Sequence, residues 1–162
     1  MMLRINARHK RNNFNDYELI DILRALSMYD RNAVIGRHWR LSDLEFWPYA
    51  LVQTFEDDIA TIFPEFGGAR DASHFVVDGE RLMERSALVH QFECGWFLRI
   101  VNPEQSVVPV DNYRLWQGPP VFQASNTDLE IRIDESPYEI VSQDSNIIAC
   151  LRGSFAETEI VE

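Results

Sequence analysis

"VHQFECGWFLRIVN", residues 89–102, decides how the second half of the chain is read. In extended backbone Leu88, His90, Phe92 and Cys94 share one side, and Val89, Gln91 and Glu93 take the other. A period of two is the signature of a strand. Gly95 interrupts the run, so strands are expected over 86–93 and 96–101, joined by a turn at or near Cys94-Gly95. The stretch also sets His90, Glu93 and Cys94 within five positions, the residue types of an activated thiol. On a strand, residues four apart are separated by about 13 Å, far beyond the hydrogen-bond reach that a Cys–His pair needs. Glu93 points away from both. His90 is therefore expected as an inward histidine and Cys94 as a small buried thiol. No catalytic residue is assigned.

The strand pattern continues on both sides. "HFVVDGERLM" (74–83) predicts a hairpin turning at Asp78-Gly79, a favoured turn dipeptide. Residues 106–115 offer a further strand, and "WQGPP" (116–120) is a loop, because adjacent prolines do not join a central ladder. "DLEIRIDES" (128–136) alternates, with Leu129, Ile131 and Ile133 on one side and Glu130, Arg132 and Asp134 on the other. "PYEIVSQDSNIIACLRG" (137–153) reads as one more hairpin. Residues 154–162 are expected as an acidic tail or a frayed last strand.

Before Gly68 the period is that of a helix. In "NDYELIDILRALSMYDRN" (15–32), Asn15 and Glu18 have the spacing of a capping box, and Leu19, Ile22, Leu23 and Leu26 form one apolar stripe. This predicts a helix over 16–29. In "RLSDLEFWPYALVQTFEDDIATIFPEFGG" (40–68), Pro48 is unwelcome inside a helix but suited to its first position. A short turn at 43–46 and a helix from Pro48 follow, with Val52, Phe55, Ile59, Ile62 and Phe63 on the apolar face. The expected fold is α+β: two N-terminal helices packed on a curved, mainly antiparallel sheet of about six strands. Residues 1–162 are expected as a single domain, with 1–13 a mobile basic arm or an edge strand.

Composition bounds the function. Of 162 residues, 46% are hydrophobic, enough for a packed core, and no apolar run is long enough to cross a bilayer. The basic start of the chain is not followed by an apolar segment, so no secretory signal is expected. Cys94 and Cys150 give no disulfide framework and no zinc spacing, and are expected as reduced thiols of a cytoplasmic protein. No metal site and no cofactor are expected, and phosphate-loop and nucleophile-elbow motifs are absent. His9 lies in the basic arm, His38 in the connector "GRHWR", and His74 is about 13 Å along its strand from Asp78. Whether His38, His74 or His90 joins a site built from distant segments is left to the tertiary structure.

The charge is uneven. Residues 1–40 carry eight Lys or Arg against four acids, and the rest carry seven Arg against 22 acids, within a total of −11. An acidic body repels nucleic acid and anionic membrane and attracts basic proteins. The loop "DNYRLWQGPP" adds Tyr113 and Trp116, residue types favoured at interfaces. Glu130, Asp134, Glu135 and Glu139 would form a negative stripe beside them. These six residues are the expected partner-binding set. The expected function is a non-enzymatic acidic protein that covers a basic protein partner, concretely a bacterial immunity or inhibitor protein that neutralises a nuclease-like toxin. The alternative is a small enzyme or regulatory subunit with a site assembled from distant segments.

Overall fold

In the computed structural model the described residues are 1–6, 17–49, 60–66, 74–107, 125–135 and 137–161. They contain seven strands: β1 (Met2–Ile5), β2 (His38–Pro48), β3 (His74–Asp78), β4 (Val89–Ile100), β5 (Thr127–Asp134), β6 (Tyr138–Ser142) and β7 (Thr158–Val161). The strands form one sheet in the order β3-β2-β4-β5-β6-β1-β7, with every pairing antiparallel. Three helices, α1 (Leu19–Tyr29), α2 (Gly79–Ser86) and α3 (Ser145–Ser154), pack on one face of it. The class is therefore α+β, with more strands than expected and with helices placed differently.

The packing follows from alternation. Leu129, Ile131 and Ile133 of β5 are fully buried on the helix side, and they meet Ile22, Leu23 and Leu26 of α1 in one core. Tyr138 and Ile140 of β6, with Leu3 and Ile5 of β1, extend the same layer by register. Each fully buried side chain of this size stabilises the fold by about 1.5–3 kcal/mol.

Helix α1 begins three residues later than expected. Its N-cap is Glu18, which forms a capping box with Asp21 at the third position; the Asp21 carboxylate accepts from the Glu18 N–H at 2.9 Å. Asn15 lies outside the described residues. The Glu18 carboxylate also accepts from the Phe92 N–H at 3.2 Å and from the Tyr138 hydroxyl at 3.0 Å. The helix start is thus tied to two strands. Burial, with the charge and hydrogen bond of Glu18, holds the Tyr138 hydroxyl well above its ordinary pKa of 10.0.

Several expectations are corrected. The turn at 43–46 gives way to strand, and Pro48 closes that strand instead of opening a helix: β2 runs unbroken from His38 to Pro48, with Asp43 at φ 55 where the register against β4 slips. Residues 50–59 of the expected helix lie outside the described residues, and 60–62 form a helical turn before Pro64. The hairpin at Asp78-Gly79 is instead a strand followed by α2, capped by the Asp78 carboxylate accepting from the Arg81 N–H at 2.9 Å. Gly79 is there for space, because a Cβ would come within 1.7 Å of the Val34 carbonyl oxygen. A short polar residue before a glycine is both a turn signal and a helix cap; the tertiary contact decides between them.

The turn at Cys94-Gly95 is also absent. β4 is one strand of 12 residues. Gly95 faces the core, where a Cβ would lie 2.7 Å from the Phe97 ring. The hairpin over 137–153 is a strand followed by α3, whose start is capped by Asp144. Residues 2–5 of the supposed arm are a sheet strand between β6 and β7, with Leu3 and Ile5 fully buried. The end of the chain contributes edge strand β7.

Candidate functional site

The face of the sheet opposite the helices carries the acids of β5 and β6, and it is not an open stripe. Glu130 is fully buried there, and Arg132 and Arg40 nearly so. Trp96 donates its indole N–H to Glu130 at 3.3 Å, and the Arg132 Nε lies 3.9 Å from the same carboxylate. Trp96 and Leu98 form a second small apolar cluster against Val107. Glu130 is therefore part of a covered polar layer, not of an open negative stripe. Glu139 is paired with Arg4 at 2.9 Å. Asp134 and Glu135 are exposed at the end of β5, where Glu135 adopts φ 58 and donates its N–H to the Glu93 carbonyl. Tyr113 and Trp116 lie outside the described residues. Of the six expected binding residues, the structure leaves Asp134 and Glu135 together on an open surface.

That surface is the end of the sheet where β2 meets β4. Along β2, Leu44, Phe46 and Pro48 are buried while Glu45, Trp47 and Tyr49 alternate outward, with Trp47 56% and Tyr49 72% exposed. Opposite them, Cys94 pairs with Glu45 and Gln91 with Trp47. Gln91 donates its amide to the Glu93 carboxylate at 2.6 Å. Cys94 also pairs with Asp134 of β5, and its thiol lies 3.5 Å from the Asp134 carboxylate.

Irregular register creates this edge. The pairing slips between Ser42 and Phe46 and again between Trp47 and Pro48. A slip of one residue sends side chains to the other face. His90, expected to point inward, is exposed with its ring 5.2 Å from that of Tyr49, and Leu88 is half exposed. The result is an exposed aromatic run of Trp47 and Tyr49, with His90 against Tyr49, that has Glu45 and Glu93 at its Trp47 end and Asp134 and Glu135 beyond them on β5. Sequence reasoning misses Glu45, Trp47 and Tyr49 because Pro48 suits the first position of a helix as well as the end of a strand. The alternation of 44–49 was the signal that could have found them.

The other described histidines, His74 and His38, stand apart from this patch. His74 lies on edge strand β3 opposite Ser42, its pKa lowered by burial and by the Arg40 charge. His38 is exposed at the far end of β2. Among the described residues no group of three or more His, Cys, Asp or Glu is placed to hold a metal ion. No described helix is long and apolar enough to cross a membrane. Near the far end of β4 a cavity of about 350 Å³ is lined by Tyr29, Asp30, Arg37, Arg99, Asp128 and Asp144, among others. Arg99 is committed there to Asp128 at 2.6 Å and to the Ala33 carbonyl at 3.1 Å. Comparison with family models, with curated proteins and with solved structures returned no match.

Proposed function

We propose that this chain is a non-enzymatic acidic binding protein that covers a basic protein partner, in the manner of a bacterial immunity or inhibitor protein that neutralises a nuclease-like toxin. The observation that carries the reading is the patch at the bulged end of β2 and β4, where exposed Trp47 and Tyr49 follow Glu45 along the chain and Trp47 lies opposite the Gln91 that holds the Glu93 carboxylate. The described basic side chains of the same sheet face offer little opposing charge: Arg40 and Arg132 are buried, and Arg4 is engaged by Glu139. Exposed aromatics supply contact area at small entropic cost, and a one-sign rim steers the opposite charge and rejects like-charged partners.

The test is purification from the native host at low salt, followed by identification of what travels with the protein. A basic protein at one-to-one stoichiometry, lost from a variant carrying Glu45→Lys and Glu135→Lys, is the expected result. Association should slow steeply as salt rises. A small molecule or metal in its place, or a partner held equally well by the reversed variant, would overturn the reading.

A further inference from the structure

We infer that the patch recognises arginine in particular, on an exposed segment of the basic partner; this rests on the function proposed above. The geometry supplies both halves of a guanidinium site. Glu45 and Trp47 lie two residues apart on the same side of β2, a separation of roughly 7 Å. Across the ladder, Gln91 stands opposite Trp47 and its amide holds the Glu93 carboxylate at 2.6 Å. Carboxylates thus flank an indole that is 56% exposed. Beyond it, Tyr49 is 72% exposed with its ring 5.2 Å from His90, extending the aromatic surface along the same edge.

A guanidinium is planar and weakly hydrated. It can lie against an aromatic face while its N–H edge engages a carboxylate in a fork. A lysine ammonium carries the same charge but is compact and strongly hydrated, and it does not do both at once. Acidic charge alone would accept either cation. The aromatic surface within the acidic rim is what favours arginine, and the exposure of Trp47 and Tyr49 at the strand ends leaves room for the side chain to enter from solvent.

The experiment uses the full chain and two blocked peptides of equal length and charge, deca-arginine and deca-lysine, titrated calorimetrically at low salt. The arginine peptide should bind about fivefold tighter, the scale of an exposed cation–π contact together with forked pairing. Tyr49→Ala lies beyond the end of β2 and should fold normally; with Trp47→Ala, it should bring the arginine affinity down to that of lysine. Asp134→Lys should weaken both peptides alike. Equal affinity of the two peptides for the unaltered chain would overturn the arginine inference while leaving a basic partner in place. A preference that survives both aromatic substitutions would overturn it too. Binding of neither peptide would overturn the inference together with the reading beneath it.

Discussion

Replacing Tyr138 with phenylalanine tests how the helices are fastened to the sheet. The ring stays, so packing is little changed, but one buried hydroxyl is removed. That hydroxyl donates to Glu18 at 3.0 Å and accepts the Leu19 N–H at 3.1 Å. A hydrogen bond to a charged group contributes about 1.5–3 kcal/mol, and a buried N–H left without its acceptor costs about 1–3 kcal/mol. The two effects share one atom and add only in part, so a loss of about 2–4 kcal/mol is expected at neutral pH. In a chain of 162 residues that lowers Tm by roughly 5–15 °C, at about 2–4 °C per kcal/mol.

Urea unfolding followed by circular dichroism should show a lower midpoint with an unchanged m-value. The alkaline limb gives a second reading. The folded pKa of Tyr138 is raised above the unfolded 10.0. Its stabilising contribution is therefore complete below pH 10 and is lost as pH rises toward the folded value. The unaltered protein should weaken above pH 10 more than Tyr138→Phe, so the gap between them narrows there. A loss below about 0.5 kcal/mol at neutral pH, smaller than an ordinary hydrogen bond, would refute this account of the α1 anchor.

Removing residues 1–6 should cost about 3–6 kcal/mol through Leu3 and Ile5 alone, with β7 losing its only described sheet neighbour; an unchanged melting curve would show β1 to be dispensable. Gly79→Ala should destabilise by roughly 1–3 kcal/mol or more, because its Cβ meets the Val34 carbonyl oxygen; differential scanning calorimetry reads this directly. Glu130→Ala should lower stability by about 3–5 kcal/mol by breaking a buried charge contact, whereas Asp134→Ala at the exposed strand end should change it by less than about 0.5 kcal/mol. Equal effects at the two positions would contradict the buried placement of Glu130.

Much of the element content was legible in the sequence. The stripe Leu19, Ile22, Leu23 and Leu26 marked α1, and the alternation of Leu129, Ile131 and Ile133 marked β5 with its core face, because each pattern repeats often enough to fix a period. The uneven charge was equally plain. What the sequence left ambiguous turned on single residues with two meanings. Asp78-Gly79 fits a hairpin turn or a helix cap, and only the approach of the Val34 backbone makes it the latter. Pro48 fits the first turn of a helix or the end of a strand, and pairing with Val89 decides for the strand.

The candidate site was less legible still, since it depends on both faces of the sheet and on its register. Glu130 alternates outward from Ile131, as the pattern required, but Trp96 on the neighbouring strand accompanies it in a covered layer, so outward did not mean exposed. Register slips along β2 and β4 turned His90 to solvent against Tyr49 and set Trp47 opposite the Gln91 that holds Glu93. Composition determined that this protein is acidic and its periodicities that it is α+β. Only strand pairing, a non-local choice made by packing, decided which acids are open to solvent and which are sealed inside.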